Sequence, residues 1–414
     1  MPVKPVPTTN QIDLFEHVAG AFAQPVSGRL TNDELYRIAA GRAGVDAATL
    51  HARAPIGQAG AERSLVKRRI RWHQQTLRQL GLIRKVDGQR GVWELTEKGD
   101  NELRKIRNDV AVLAFSTDLG IAILGNARHV FQRWDEPIFL VLTSPPYPLR
   151  TPRAYGNPPI EDYIDFVCRI LEPMLAHLVP GGNVVLNVSN DIFESKSPAR
   201  STYLEELTLA LVKRLGLYLM DRLVWASNKP PGPIAWASKK RMQLNTGYEP
   251  VLWFCNSPND CIADNRRVLE PHTDRQKRLI EKGGVELART NGDGAYRLRP
   301  GAYGNPTEGR IPRNVLQFGN ACADQRAYKQ RAAQLGLQPH GAPMPLNLAR
   351  MLVRWMTKID QLVADPCSGS FTTGRACELE GRSWVGTEIV ADYARGGAER
   401  FTGCEGFELA LDTI

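Results

Sequence analysis

The sequence lacks any long hydrophobic run and any metal-binding spacing of cysteine or histidine. No apolar stretch in its 414 residues approaches the length that spans a bilayer, and the N-terminus lacks the charged and then apolar pattern of a signal peptide. The seven cysteines include no Cys-x-x-Cys pair, and the seven histidines include no His-x-x-x-His pair. These absences predict a cytoplasmic protein with reduced thiols and without a metal.

There is also no Walker-type Gly-Lys-Ser/Thr sequence, which argues against triphosphate binding. Positive charge is abundant, since 53 Lys and Arg against 44 Asp and Glu give a formal net charge of +9. Residues 63–85 contain eight Lys or Arg and no acid, and residues 264–335 contain fourteen bases against eight acids. Two separate stretches are therefore suited to contact a polyanion such as nucleic acid.

The first 110 residues have the order of a small DNA-binding module. From Ser64 to Leu80, apolar residues recur every three or four positions, so one helix face is apolar and the other is basic. Two short strands around Asp87-Gly88 follow, and a helix before a β-hairpin is a winged-helix pattern. Such a helix fits the ~12 Å wide major groove, although a solvated basic helix in a protein-interaction module has the same pattern. Further helices are predicted over residues 11–23 and 97–110.

From about residue 111 the chain alternates apolar strands with amphipathic helices. Ile138 to Leu142 is a continuous apolar run, typical of a strand buried on both faces of a parallel sheet. This rhythm predicts an α/β fold with a doubly wound, mostly parallel, Rossmann-like sheet. Helices are predicted over residues 160–178, 203–215 and 346–356. Strands are predicted over residues 184–188, 218–225, 249–254, 361–364 and 384–388. Residues 256–338 break the rhythm and predict an inserted recognition region.

A turn rich in glycine and serine runs from Asp365 to Gly374, directly after the predicted strand 361–364. Glu388 ends the next strand, nineteen positions after Gly369. A strand, a turn of this kind and an acid about 20 residues on form the layout of nucleotide-type cofactor sites, in which the acid accepts hydrogen bonds from ribose hydroxyls. The same turn is also compatible with a purely structural role.

The turn Ser144-Pro145-Pro146-Tyr147 directly follows the buried strand 138–142 and Thr143. Its two prolines fix the backbone φ angles and remove two amide donors, which leaves rigid carbonyl acceptors at the strand end. The Ser144 hydroxyl, the Pro145 carbonyl and the face of Tyr147 are suited to accept hydrogen bonds from an exocyclic amino group and to stack its base. An isolated Pro-Pro would be an ordinary rigid loop.

Thr143 to Tyr147 resemble motif IV of the amino-group DNA methyltransferases, which depend on S-adenosyl-L-methionine. Asp365 to Gly374, with Glu388, resemble their motif I, and His340 to Pro345 resemble the segment that precedes motif I. Motif IV before motif I is the order of the beta class. The resemblance covers roughly residues 120 to 400.

The resemblance implies a site-specific enzyme that uses S-adenosyl-L-methionine to methylate a base flipped out of double-stranded DNA. It divides the chain into a DNA-binding domain (1–110), a catalytic half (111–255), the target-recognition insertion (256–338) and a cofactor-binding half (339–414). The strands that end at Ser144 and Asp365 are expected to lie side by side. The expected catalytic residues are Ser144, Pro145, Pro146 and Tyr147. The expected cofactor-binding residues are His340, Ala342, Pro343, Asp365, Cys367, Ser368, Gly369, Ser370, Thr372, Thr373 and Glu388. The expected DNA contacts are Arg68, Arg69, Arg71, Arg150, Arg153, Lys239, Lys240, Arg241, Arg266, Arg267 and Arg313.

Two positions depart from the family pattern. Cys367 stands where Phe is usual, and Phe371 stands where Gly is usual, so either cofactor affinity is altered or the Phe371 ring packs away from the ligand. Ser144 favours cytosine N4 as the target, with adenine N6 as the alternative. A winged-helix regulator with an inactive methyltransferase fold is the alternative of another class, and RNA is a third substrate. A cognate restriction endonuclease and a homodimer are both left open as partners.

Overall fold

The computed structural model describes residues 17–22, 29–56, 61–79, 81–96, 98–99, 111–149, 158–227, 234–291, 294, 296–320 and 322–411. The chain divides into two compact units, Met1–Val110 and Ala111–Ile414. No helix in these described ranges is long and apolar enough to cross a membrane. Residues 17–22 of the predicted helix 11–23 are helical. Of the predicted helix 97–110, only residues 98 and 99 are described, and both are helical.

The N-terminal unit has the element order of a winged helix. Its strands are β1 (Arg29–Thr31), β2 (Arg53–Ile56), β3 (Ala61–Ser64), β4 (Ile83–Lys85) and β5 (Val92–Leu95). Its labelled helices are α1 (Asn32–Arg42), α2 (Ala47–His51) and α3 (Leu65–Gln79). Strands β1, β5 and β4 form an antiparallel sheet in that order, and β2 and β3 form a separate hairpin that the sequence did not predict.

Helix α3 is the basic amphipathic helix predicted from the sequence. Its apolar stripe is buried, with Ile70 and Leu77 fully covered in the core of the N-terminal unit. His73 lies on the same stripe, and burial lowers the pKa of its imidazole. Since the buried face uses the apolar positions, the arginine side chains are left on the opposite face.

The second unit contains the large sheet. Its strands are β6 (Val112–Ser116), β7 (Gly120–Leu124), β8 (Ile138–Thr143), β9 (Leu178–Asn187), β10 (Tyr218–Ala226), β11 (Tyr248–Cys255), β12 (Arg289–Asn291), β13 (Tyr296–Leu298), β14 (Val315–Gln317), β15 (Val363–Asp365), β16 (Trp384–Glu388) and β17 (Glu408–Leu409). Its α-helices are α4 (Ala127–Phe131), α5 (Ile160–Leu175), α6 (Tyr203–Leu215), α7 (Ala235–Ser238), α8 (Asp274–Glu281), α9 (Ala323–Gln334), α10 (Leu346–Met356), α11 (Thr372–Glu380) and α12 (Ala391–Ala398). Pro258–Asp260 and Asn265–Val268 are 3-10 helices.

Ten of these strands form one sheet in the order β14-β10-β11-β9-β8-β15-β16-β7-β6-β17. The central strands β9, β8, β15, β16 and β7 are parallel, whereas β6, β11 and β17 pair antiparallel with their neighbours. The predicted α/β class with a mostly parallel sheet is therefore confirmed. Val141 and Val184 in the central strands are fully buried, as parallel strands require because both of their faces are covered.

Strands β8 and β15 are direct neighbours, as the sequence predicted. Val363 lies opposite Leu140, and Ala364 lies opposite Val141. Because the two strands are parallel, the loops that follow Thr143 and Asp365 leave the same edge of the sheet. Strand β16 pairs with β15 on its other side, so Glu388 reaches this edge as well.

The structure differs from the sequence prediction in two segments. Strand β9 begins at Leu178 and continues through the predicted turn Pro180–Gly182, because a register shift against β8 and a positive φ of 75° at Gly181 accommodate the bend. The segment 256–338 is not wholly separate from the α/β fold. Its strand β14 pairs with β10 at the edge of the large sheet, and Tyr328 in α9 packs close to Gly396 in α12.

Candidate active site

A cavity of about 740 Å³ opens at the carboxyl ends of β8, β15 and β16. Every residue predicted from the sequence to act in catalysis or to hold the cofactor lines this cavity. The turn after β8 and the turn after β15 are more than 200 residues apart in the chain, and the parallel pairing of the two strands brings them to one space. The volume is within the range of ligand pockets, about 300–1,000 Å³.

Asp365 organises the turn after β15 from its buried position at the strand end. Its Oδ2 accepts a hydrogen bond from Thr373 Oγ1 at 2.7 Å, and its Oδ1 accepts one from the Cys367 amide at 3.1 Å. Ser368 Oγ donates to the Asp365 carbonyl at 2.9 Å. Burial raises the pKa of Asp365 to about 6, although the Thr373 hydroxyl opposes this shift. The carboxyl group therefore fixes the shape of the turn.

Glu388 fastens the same turn to the end of β16. Its Oε2 accepts from the Gly369 amide at 2.8 Å, and its Oε1 accepts from the amides of Ile389 and Val390, both at 2.8 Å. Burial raises the pKa of Glu388 to about 7, and the three amide donors oppose the shift. The result is a fixed, buried acceptor at the wall of the cavity.

The residues of this turn fit a nucleotide-type cofactor. Gly369 has a φ of 53°, and a Cβ atom there would lie 3.2 Å from the His340 ring. A Cβ atom on Gly386 would lie 2.5 Å from Ser368 Oγ, so the turn and β16 approach closely only because this residue is glycine. Small side chains, backbone amides and one buried acid are the groups that such a ligand needs. Within the described residues, no group of three or more His, Cys, Asp or Glu is placed to hold a metal ion.

Phe371 packs away from the cavity. Its ring is fully buried and contacts Phe115 edge-on, with a centroid separation of 5.1 Å. It does not line the cavity, and the same ring lies 6.4 Å from the Trp384 ring in the core. The residue adopts a left-handed φ of 57°, which explains why glycine is the usual choice at this position. Of the two outcomes expected for this departure, the structure has the second.

Arg400 supports the turn from behind, and the sequence did not predict this role. Its buried guanidinium donates to the Ser370 carbonyl at 2.6 Å and to Thr372 Oγ1 at 2.9 Å, and it pairs with Asp324 in α9. Gln325, also in α9, donates to the Pro343 and Met344 carbonyls at 3.0 and 2.9 Å. Helix α9 therefore braces both walls of the cofactor half.

A polar network surrounds Tyr147 on the opposite wall. Ser144 Oγ lies 3.1 Å from Tyr147 Oη, which donates to Glu249 Oε2 at 3.1 Å. Asn187 Nδ2 donates to the same Glu249 oxygen at 3.2 Å. Burial raises the pKa of the Tyr147 phenol, and the negative charge of Glu249 raises it further. Tyr147 is therefore a protonated donor whose hydroxyl is fixed by a carboxylate.

The basic residues expected to contact DNA have different surroundings. Arg68 and Arg69 are on α3, where Arg69 is exposed and Arg68 is half-buried, whereas Arg71, on the same helix, donates to the Tyr36 hydroxyl. Arg150 and Arg153 lie outside the described residues. The role of these residues in DNA contact stays a prediction.

The other expected DNA contacts lie in the second unit. Lys239, Lys240 and Arg241 are exposed just after α7, and Arg313 lies in the loop before β14. Arg266 forms an ion pair with Asp264 at 2.7 Å. Arg267 Nη1 donates to the Ile262 and Trp355 carbonyls at 3.2 and 3.1 Å, so this guanidinium holds a loop against the end of α10. For Arg267 the geometry favours a structural role over a DNA contact.

Comparison with known proteins gives the chain's relatives. Residues 138–399 match the N6/N4 family described as DNA methylase, and residues 19–105 match the Mrr N-terminal domain. Type II methyltransferase M.PvuII of Proteus hauseri is 30% identical over 295 residues, which are 70% of this chain and 85% of that protein. Type II methyltransferase M.BglII of Bacillus subtilis is 24% identical over 260 residues, which are 63% of this chain and 62% of that protein. The solved structure of the cytosine-N4-specific PvuII DNA methyltransferase has a TM-score of 0.55 and 26% identity, covering 70% of this chain and 88% of that one.

Proposed function

The chain belongs to the N6/N4 DNA methylase family, and from this premise we propose that it methylates the exocyclic amino group of a base flipped out of double-stranded DNA at specific sites. The methyl donor is S-adenosyl-L-methionine, and cytosine N4 is the preferred target. The observation that carries the proposal is the single cavity lined both by Ser144-Pro145-Pro146-Tyr147 and by the turn from Asp365 to Thr373. A donor and an acceptor held by these two walls would meet in one space.

The cofactor-binding half, residues 339–414, would hold S-adenosyl-L-methionine by the turn after β15. Small residues from Ser368 to Thr373 would surround it, Glu388 would accept hydrogen bonds from its ribose hydroxyls, and His340, Ala342 and Pro343 would contact its methionine end. Bound there, the cofactor supplies a methyl group on a sulfonium, which an amine nitrogen can attack directly. No covalent bond between enzyme and base is then needed.

The catalytic half, residues 111–255, would hold the base. The Ser144 hydroxyl and the Pro145 carbonyl would accept hydrogen bonds from the amino group and draw its lone pair out of conjugation with the ring. The Tyr147 ring would stack on the base, with its hydroxyl held by Glu249 at 3.1 Å. Catalysis would consist mainly of positioning and of preorganised acceptors.

Duplex DNA would bind through basic residues of both units. Arg68 and Arg69 on α3 and the exposed group Lys239–Arg241 are suited to contact phosphates. Residues 256–338 would contribute target recognition, with β14 and α9 acting as support for the fold. The type II relatives favour a cognate restriction endonuclease as a partner in the cell.

Cytosine N4 is favoured by Ser144 in the first position of the turn and by the likeness to the cytosine-N4-specific PvuII enzyme. Adenine N6 is the alternative, because the same acceptors suit either amino group. The inactive regulator is not supported by Phe371, since this ring packs in the core and leaves the cavity free.

The experiment is methyl transfer from labelled S-adenosyl-L-methionine to duplex plasmid DNA, followed by mass spectrometry of the nucleosides. We expect N4-methylcytosine from the parent chain. Ser144→Ala should transfer no methyl group while binding S-adenosyl-L-methionine with unchanged affinity. N6-methyladenine would overturn the cytosine preference. Cofactor binding without any methylated DNA would favour the inactive regulator. Methylation-sensitive sequencing of the same DNA gives the target sequence.

A further inference from the structure

The segment Lys239–Tyr248 contains the most exposed large apolar side chain among the described residues. Leu244 is 91% exposed and Met242 is 64% exposed. Leaving two such side chains in water forgoes the free energy that burial would provide. They are separated by one residue, so they form a pair of apolar side chains rather than scattered surface positions. This pair needs an occupant or a function.

The apolar pair lies at the rim of the cavity. Thr246 and Tyr248, two and four residues beyond Leu244, both line the cavity. Two residues of extended chain span at most about 7 Å, so the Leu244 backbone is within that distance of a lining residue. A nucleotide whose base occupies the cavity would have its sugar and phosphates at this rim. Leu244 is therefore close to the gap that such a base would leave in the duplex.

The segment is held in place on both sides of Leu244. Gln243 Nε2 donates to the Pro198 carbonyl at 2.6 Å. Thr246 Oγ1 accepts from Arg200 Nη2 at 3.1 Å, and the Gly247 carbonyl accepts from the Ser227 amide at 3.2 Å. The exposed side chain is thus presented from an anchored backbone. A preorganised contact loses less conformational entropy when it binds.

The charge around the apolar pair identifies the class of partner. Lys239, Lys240 and Arg241 directly precede Met242, and the sequence from residue 236 to residue 248 contains no acid. All three cations are exposed. A surface that is basic at one end and apolar at the other matches a nucleic acid duplex, which has phosphates outside and stacked apolar base faces inside.

We infer that Leu244, with Met242 beside it, is a wedge that enters the base stack at the target position and occupies the space left by the flipped base. The inference rests on the proposed function, because it requires a base to leave the duplex. Filling the gap with an apolar side chain offsets the lost stacking and keeps the base in the cavity.

The test uses two duplexes with the target sequence established by the sequencing experiment above. One is fully matched, and the other has an abasic site opposite the target base, which removes the base pair that must be broken. We expect the double variant Met242→Ala/Leu244→Ala to lower kcat/KM on the matched duplex by about tenfold or more. On the abasic duplex its kcat/KM should stay within about twofold of the parent's, because unpaired bases flip at lower cost.

Three further variants define the interpretation. Ile359→Ala removes an equally apolar side chain, 66% exposed, from the loop before β15, at the opposite end of that strand from the cavity; both duplexes should react as with the parent. Leu244→Phe keeps an apolar side chain of sufficient size and should keep the rate. Lys240→Ala removes a phosphate contact and should weaken binding of both duplexes alike.

Equal rates for the double variant and the parent on the matched duplex would overturn the wedge. An equal reduction on both duplexes would also overturn it, since Leu244 would then be a general contact. In both cases the parent still methylates DNA, so the proposed function stands. If the parent methylates no duplex, the proposed function fails and the wedge fails with it.

Discussion

At the scale of single residues, one carboxylate orients the wall that is proposed to hold the base. Glu249 accepts from Tyr147 Oη and from Asn187 Nδ2, and Tyr147 Oη in turn lies 3.1 Å from Ser144 Oγ. A charged acceptor makes a hydrogen bond roughly twice as strong as a neutral one. The position of the Tyr147 ring therefore depends on a residue that is 102 positions away in the chain.

Glu249→Gln should lower kcat by roughly five- to tenfold, because a neutral amide replaces the charged acceptor at a cost of about 1 kcal/mol. Affinity for S-adenosyl-L-methionine should be unchanged, since Glu249 lies on the other wall. Single-turnover rates and calorimetric titration measure the two quantities. Tyr147→Phe, which keeps the ring and removes the hydroxyl, should match Glu249→Gln and be far more active than Tyr147→Ala. A parallel reduction of cofactor affinity in Glu249→Gln would contradict a role limited to orienting Tyr147.

Phe371→Ala should lower the free energy of unfolding by about 3–5 kcal/mol, because it removes a fully buried aromatic ring. Phe371→Gly also creates the cavity but relieves a left-handed φ that costs about 1–2 kcal/mol. It should therefore be less destabilised than a cavity of that size alone would predict. Urea denaturation measures both variants. A Phe371→Gly variant as stable as the parent would show that the ring adds nothing to the core.

Affinity for S-adenosyl-L-methionine should fall as the pH drops from about 8 to about 6. Burial raises the pKa of Glu388 to about 7, so this carboxyl group gains its proton within that range. Ribose hydroxyls donate preferentially to the ionised form, and the ionised fraction falls from about nine-tenths to about one-tenth across it. The expected reduction is roughly tenfold. Calorimetric titration of the parent and of Glu388→Gln checks this, and the variant should show a flat profile between about pH 6.5 and 8.

The two loops of the site could be predicted from the sequence because each is a contiguous motif after an apolar strand. Glu249 and Asn187 could not. Asn187 ends β9 and Glu249 is near the start of the antiparallel strand β11, so both reach the site only through the strand order. Arg400 was missed for a similar reason, since its partner Asp324 is 76 positions earlier. Long-range pairing of this kind leaves no local pattern.

At the scale of elements, helices with a clear apolar stripe were predicted well. The bounds of α6 (Tyr203–Leu215) and α10 (Leu346–Met356) agree with the sequence prediction, as do those of β16. The hairpin of β2 and β3 was missed because its strands, Arg-Ala-Pro-Ile and Ala-Glu-Arg-Ser, show no alternation of apolar and polar residues. Strand β14 is three residues long within a polar segment and is defined only by its pairing with β10.

Helix α3 should supply DNA affinity through its basic face. The double variant Arg68→Ala/Arg69→Ala should weaken duplex binding at low salt, and it should reduce the slope of log affinity against log salt by about 1 for each phosphate that is no longer neutralised. Fluorescence anisotropy with a labelled duplex measures both. Arg37→Ala, an exposed arginine of α1 near Glu34, removes the same kind of charge and is the matched control. A slope unchanged by the double variant would argue that α3 is a solvated face of a protein-interaction module.

At the scale of the whole molecule, all cavity-lining residues lie at or beyond Asn126, within the second unit. A chain that begins at Ala111 should therefore bind S-adenosyl-L-methionine with the parent's affinity. Its KM for duplex DNA should rise, because the basic helix α3 is removed, while kcat should change little. Steady-state kinetics at two salt concentrations check this. An equal KM for both chains would mean that the N-terminal unit adds no affinity for DNA.

The pairing of β8 with β15 also determines when the protein becomes competent during its synthesis. Leu140 and Val363 are 223 positions apart, and loop closure of that length is slow. A ribosome that has released the turn after β8 must still add more than half of the polypeptide before the partner strand emerges. Unfinished chains can expose the first strand to solvent for many seconds, yet none of them can modify the genome.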